Sequence, residues 1–397
     1  MSYLETKDKQ ECCGCEACVQ ICPKKAIKLK VDEEGFRYPE IDESKCIHCN
    51  LCNKVCPVQN MPILNKLKEQ KFYGMRIKKL DILAKSSSGG GFFGICEKLC
   101  QKDYVIFGAK YTENFKVQHS YITDINNIQE FQKSKYVQSE INDSYIKARE
   151  FLEAKKLVIF SGTPCQIAGL RNFLKKDYDN LICIDIICHG VPSYKVFKKY
   201  IEYEENKKHN KLKKIVFREK MIDENDKYDS KKIRLVFEDG TNIVDSAESN
   251  LFLRGFYARI IYRPSCYSCP YAKSERYGDL TIADCWGIEK IDSSIDIHKG
   301  YSLIIANTKK GNSILNNIKS DFEYIPLTID FVKQNNACFS VPSYRHPRRA
   351  KFFKHLDKVS IEKNINKSLK PIGIRNKLKA LLPKKIKKSI KKILKKS

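Results

Sequence analysis

Long apolar runs are missing from this chain. No stretch of about 18 consecutive apolar residues occurs, and the opening MSYLETKDKQE has none of the apolar core of a signal peptide. Neither a membrane span nor export is expected, so the reading places the protein in the cytoplasm. Acid is scarce as well: 47 Asp and Glu face 74 Lys and Arg, for a formal charge of +27. No nucleic-acid recognition motif accompanies that charge, and a nucleic-acid partner is not expected. Apolar residues at 42% and aromatics at 11% suffice for a packed core and argue against global disorder. A length of 397 residues allows two or three domains.

Cysteine, by contrast, is abundant and clustered. Thiols in the cytoplasm stay reduced, so 18 Cys point to metal binding or redox chemistry before disulfides. Nine of them lie in the first 56 residues. Cys12, Cys15, Cys18 and Cys22 follow the spacing C-x2-C-x2-C-x3-C-P, and Cys46, Cys49, Cys52 and Cys56 repeat it 34 residues later. Three thiolates on one tight loop can reach three irons of a cubane, and the fourth must come from elsewhere. This is the two-cluster ferredoxin pattern, in which the last cysteine of each run crosses to the other cluster. Cys12, Cys15, Cys18 and Cys56 are expected on one [4Fe-4S] cluster, and Cys46, Cys49, Cys52 and Cys22 on the other. A short helix is expected to begin near Cys22 and near Cys56. Cys13 is left over. Two complete runs each ending in Cys-Pro would make a poor zinc site.

The body of the chain alternates apolar strands with helices. KLVIFSG (156–162) ends in a turn that leads into TPCQIAGLRNFL, with Thr163 as a helix cap. LICIDII (181–187) leads through CHGVPS into a second helix. Such alternation predicts a parallel sheet whose ligands gather at the carboxyl ends of the strands, where Cys165 and Cys188 fall. KKIVFRE (213–219) and KIRLVFEDGTNIV (232–244) read as antiparallel additions, the latter with a hairpin at Asp239-Gly240. The expected fold is an α+β ferredoxin-like 2[4Fe-4S] domain over 1–65, then an α/β domain over 72–355 with a mainly parallel sheet and antiparallel β additions. Residues 356–397 read as a basic amphipathic tail. Cys165, Cys188, Cys266 and Cys269 are thiols on three loops that the sheet can bring to one edge. They suit either zinc or a third cluster, and two clusters in the same chain favour the latter. Cys96, Cys100, Cys183 and Cys338 read as core residues. The SSSGGG loop before an apolar helix can present N–H groups to a phosphate or a flavin oxygen.

Together the ferredoxin runs, DEEGFRYPEIDESKCIHC, SSSGGGFF, SKYVQS, FSGTPCQIAGL, CHGVPS, RPSCYSCPYA, GDLTIADCWGIEK and SYRHPRRAKFF resemble the coenzyme F420 hydrogenase/dehydrogenase beta-subunit family. The resemblance spans about residues 10–355 and is closest to a bacterial branch with an N-terminal two-cluster ferredoxin, often encoded among polysaccharide-biosynthesis genes. It implies an iron-sulfur flavoprotein. FAD would lie against Ser86, Ser87, Ser88, Gly89 and Gly90, against Lys135, Tyr136 and Gln138, and against Gly162, Thr163 and Gln166. The third [4Fe-4S] cluster would take Cys165, Cys188, Cys266 and Cys269. Cys285 stands where the family usually has Phe, and is left off that set. His189 is the candidate catalytic residue, placed to orient a substrate or protonate a reduced product.

The expected function is an oxidoreductase that passes electrons between its ferredoxin-type clusters and a small-molecule acceptor or donor through FAD. The alternative is a non-catalytic electron-transfer subunit serving a separate redox partner protein. The last 24 residues hold 11 Lys and Arg and no acid, and without them the charge falls to +16. Ile374, Leu378, Leu381, Leu382, Ile386, Ile390, Ile393 and Leu394 follow helical spacing around Pro383. That is the pattern of a helix lying in an anionic membrane interface, peripheral on the inner face. Deleting 374–397 should abolish flotation with anionic vesicles; unchanged flotation would contradict a membrane role for the tail.

Overall fold

The computed structural model describes residues 2–64, 66–222, 228–246 and 249–369. The basic segment 374–397 lies outside the described residues. Among them, no helix is long and apolar enough to cross a membrane.

The two cysteine runs flank an antiparallel hairpin, β1 (Ile27–Val31) and β2 (Arg37–Ile41), with Ile27 opposite Ile41. Short helices Ala17–Ile21 and Leu51–Lys54 pack against each other. These helices end before Cys22 and Cys56, whereas the sequence reading starts them there. The reason is local: Pro23 disfavours helical backbone at the residue before it, and Cys22 is extended at φ −69°, ψ 111°. The third cysteine of each run, Cys18 or Cys52, is the helical one instead.

The remaining strands are β3 (Lys66–Ile77), β4 (Tyr104–Tyr111), β5 (Val117–Ile122), β6 (Leu157–Gly162), β7 (Leu181–Ile186), β8 (Leu212–Ile222), β9 (Tyr228–Phe237), β10 (Asn242–Ser246), β11 (Leu280–Asp284), β12 (Ser302–Thr308) and β13 (Phe322–Leu327). Eight of them form one sheet in the order β13-β3-β12-β11-β7-β6-β4-β5. Its centre, β11, β7, β6 and β4, is parallel, and antiparallel strands close both flanks. The apolar runs are explained by burial on both faces: every residue of β12 is buried, as are Val158, Ile159 and Phe160 of β6. β8, β9 and β10 make a separate antiparallel sheet covered by helices Tyr194–Lys208 and Leu251–Tyr257. The ferredoxin-like unit followed by an α/β domain with antiparallel additions is thus the observed architecture.

The core runs past residue 355. Leu356, Ile361 and Ile365 are buried against Phe252 and Phe256, so 356–369 is part of the body. The hairpin tip is tied to the same region. Arg349 forms a buried ion pair with Glu34 at 2.5 Å, and Ser193 Oγ donates to the Glu34 carbonyl at 2.5 Å.

Asp185 on β7 anchors the sheet's centre. Fully buried, it accepts from Arg276 Nη2 at 3.0 Å, Thr281 Oγ1 at 2.6 Å and the Gly278 amide at 3.0 Å. Removing one partner of such a pair leaves an uncompensated buried charge, which costs about 3–5 kcal/mol. Asp185→Ala should lower stability by that amount in urea unfolding; a loss under about 1 kcal/mol would contradict this role.

Candidate functional site

Sulfur gathers where the first cysteine run meets the carboxyl end of the central sheet. Burial first, then the neighbouring Cys12, Cys56 and Cys52, push the Cys18 thiol well up. Burial likewise raises Cys56, with Cys12 beside it. Cys12, Cys15, Cys18 and Cys56 line one small cavity, together with Cys13 and with Cys52 of the second run. Cys52 is near Cys49 and Cys46 in the outer run, where Cys49 is exposed. Cys22 Sγ accepts from the Ala26 amide at 3.3 Å.

A second group forms from three loops. Thr163 caps the helix Pro164–Leu174 in a capping box with Gln166, which sets Cys165 in its first turn. Cys188 follows β7, and Cys266 lies on a 3₁₀ turn, Pro264–Ser268, that ends at Cys269. Burial and then Cys266 and Cys165 push the Cys188 thiol well up. Burial and Cys269 push Cys266 up to about 12. Burial and Cys165 push Cys269 up to about 11. All four thiols are thus mutual neighbours. Buried thiols that raise one another's pKa give up their protons readily only to a cationic centre, and this is the chemistry of a metal or cluster donor set. Cys13, unassigned from spacing, lies between the two groups with Cys15 and Cys165 as neighbours, and its thiol is pushed well up. Cys285 is elsewhere, packed with Phe72, Ile288 and Leu303.

Beside the second group opens a cavity of about 580 Å³, with Cys188 in its wall. That size falls within the roughly 300–1,000 Å³ of ligand pockets. Ser86, Ser87, Ser88, Gly90, Lys135, Tyr136, Gly162, Thr163, Gln166 and His189 all line it. Two expected residues do not. Gly89 is wedged against the Met75 carbonyl and the Ser302 amide, where a side chain has no room. Gln138 turns to the ferredoxin loop and donates to the Cys13 carbonyl at 3.1 Å. Others are committed within the protein. Gln166 Oε1 accepts from the Thr163 amide at 2.9 Å and its Nε2 donates to Ser139 Oγ at 2.9 Å. Lys135, pulled down to about 7 by burial, donates to the Glu130 and Gln132 carbonyls. His189 Nδ1 is 3.4 Å from the Sγ of Cys338, which is buried in the core with Val332 and Phe339 as expected.

The cavity also holds groups that the sequence did not single out. Arg218 makes a two-pronged pair with Asp284 at 2.8 and 3.0 Å and stacks on Trp286. Asp284 is the cavity's one acid among the described residues, against Lys133, Lys135, Arg218 and Arg259. Ser87 Oγ and His119 Nδ1 are buried without a partner. His119 Nε2 is bonded to the Ser161 carbonyl at 3.0 Å and the ring stacks on Phe160. A basic wall with unmatched polar atoms fits an anionic, hydrogen-bonding ligand such as a dinucleotide. His119 and Arg218 reach the cavity from an outer strand and from the second sheet, so no local motif marks them.

Residues 155–328 match the family model for the C terminus of the coenzyme F420 hydrogenase/dehydrogenase beta subunit, and residues 11–60 match the model "4Fe-4S dicluster domain". No curated protein matches the chain. Among solved structures, a chain of the F420-reducing [NiFe] hydrogenase complex from Methanosarcina barkeri, studied by xenon derivatization, is 17% identical, with 77% of this chain and 91% of that chain covered at a TM-score of 0.41.

Burial pulls the His119 imidazole down to about 4. The unfolded chain takes up its proton near pH 6.5, so this site's contribution is intact above that value and is lost as pH falls toward 4. By pH 5.5 the loss is about 1 kcal/mol relative to neutral pH. His119→Phe should lack that part of the acid sensitivity in paired unfolding curves; equal losses in both proteins would contradict it.

Proposed function

We propose that this chain, which matches the dicluster model at 11–60 and the family's C-terminal model at 155–328, is a member of the F420 hydrogenase/dehydrogenase beta-subunit family that carries electrons through three [4Fe-4S] clusters to FAD and a small-molecule acceptor. That it is an iron-sulfur protein of oxidoreductase kinship, with two [4Fe-4S] clusters in its N-terminal domain, follows from the family matches. The finer reading rests on one observation: the thiols of Cys165, Cys188, Cys266 and Cys269 converge between the first ferredoxin run and the large basic cavity.

In this reading Cys12, Cys15, Cys18 and Cys56 hold the inner cluster, and Cys46, Cys49, Cys52 and Cys22 hold the outer one. The exposed Cys49 turns the outer cluster toward a redox partner protein. Cys165, Cys188, Cys266 and Cys269 hold the third. FAD would be held in the cavity, where Ser87 Oγ is free to offer it a hydrogen bond, Arg218 and Arg259 would supply positive charge for its phosphates, and the loop Ser86–Gly90 forms part of the wall. A bound flavin supplies the exchange between two-electron and one-electron chemistry. Lys220 holds that loop in place, donating from β8 to the Leu83, Ser88 and Lys299 carbonyls at 2.8, 2.5 and 2.9 Å. His189 borders both the third cysteine group and the cavity, the position for a proton donor to a reduced acceptor.

Anaerobically purified protein should contain about twelve irons and one flavin per chain, and Cys266→Ala about eight irons. About eight irons without flavin in the wild type, or about twelve retained in Cys266→Ala, would contradict the proposal. Turnover of a small acceptor by the reduced chain alone supports an enzyme; turnover only after a second protein is added makes it an electron-transfer subunit.

A further inference from the structure

Four arginines in the described residues are buried: Arg218, Arg263, Arg276 and Arg349. Three of them face a carboxylate, Arg218 with Asp284, Arg276 with Asp185 and Arg349 with Glu34. Arg263, at 1% exposure the equal of Arg276, does not. Its Nε donates to the Cys12 carbonyl at 2.6 Å, its Nη1 to Gln138 Oε1 at 3.1 Å, and its Nη2 to the Arg37 carbonyl at 2.9 Å and to Cys12 Sγ at 3.3 Å. The guanidinium lies over the Tyr38 ring, 4.3 Å from its centroid. Every one of these partners is neutral or aromatic except the thiol sulfur. A guanidinium cannot shed its proton to escape the cost of burial, so its charge needs an anion nearby.

The anion it faces is sulfur. Arg263 immediately precedes the turn that carries Cys266, whose amide donates to the Arg263 carbonyl at 3.0 Å. Its head therefore reaches from the loop of the third cysteine group to the first cysteine of the N-terminal run. The loop is shaped for that contact: at Gly14, with φ +72°, an added Cβ would fall 2.9 Å from Arg263 Nη1 and 2.3 Å from Gln138 Nε2. We propose that Arg263 is the counter-charge of the cluster held by Cys12, and that it raises that cluster's reduction potential. A thiolate-ligated cubane gains one negative charge on reduction, and a fixed cation with a hydrogen bond to a ligand sulfur stabilises the reduced state more than the oxidised one. The effect makes the inner N-terminal cluster the better electron acceptor of the pair and draws electrons from the exposed run toward the cavity. The outer run has no comparable buried cation among the described residues. This inference rests on the dicluster domain and on the assignment of Cys12 to it, not on the third cluster.

The test is a redox titration followed by electron paramagnetic resonance on anaerobic wild type, Arg263→Gln and Arg263→Lys, with iron counted in each. The midpoint of one N-terminal couple should fall in Arg263→Gln, with the other couples moved less, and Arg263→Lys should recover most of the shift. Full iron with unchanged midpoints in Arg263→Gln would overturn the inference and leave Arg263 a packing residue. Should Arg263→Gln bind about four fewer irons, Arg263→Lys decides: restored iron with a midpoint near wild type supports the charge, and iron still short overturns it. A wild type showing only two couples would sink the third cluster while leaving this inference intact.

Discussion

The docking of the first cysteine run against the carboxyl end of the central sheet is the contact on which the rest of the structure depends. A sulfur-rich loop is costly to bury, because each thiol loses solvent and each ligand charge repels the next. The body offsets that cost with buried polar groups: Arg263 and Gln138 grip the Cys12 to Gly14 backbone, and Cys13 lies beside Cys165. At the far end of the same unit Arg349 and Ser193 hold the hairpin tip at Glu34. The ferredoxin unit is thus seated at two separated points, which fixes which cysteines look inward and which look out.

The sheet supplies the other half of the arrangement. Its parallel centre ends several strands at one edge, so the loops after β6 and β7 bring Cys165 and Cys188 together, while the turn Pro264–Ser268 adds Cys266 and Cys269. The Asp185–Arg276 pair locks β7 to the segment that leads into β11, just beneath those loops. The second sheet contributes Arg218 to the cavity wall and, through Lys220, holds the Ser86–Gly90 loop, so the cavity forms only when both sheets and that loop are in place.

Much of this was legible in the sequence because cluster chemistry writes itself into spacing. The Cys-Pro runs give the first ligand groups, and the strand–loop–helix repeats put Cys165 and Cys188 at strand ends. What spacing does not record is direction. Gln138 lies in a segment that borders the cavity, yet its side chain turns to Cys13; Gly89 sits inside the glycine loop, yet it packs on β3 and β12. The helices end before Cys22 and Cys56 because a following proline governs the backbone there. Arg263, His119 and Arg218 carry no local signal, since their partners lie far away in sequence: Arg263 and Cys12 are 251 residues apart.

The central claim is spatial: the inner N-terminal cluster and a third cluster are neighbours across the Cys13–Cys165 contact. Electron paramagnetic resonance of the fully reduced protein measures this directly. The account predicts signals broadened and split by coupling between paramagnetic clusters, including a coupling that disappears in Cys266→Ala while the two N-terminal clusters remain. Spectra that are the same in wild type and Cys266→Ala, with only the coupling of the two N-terminal clusters present in both, would contradict it.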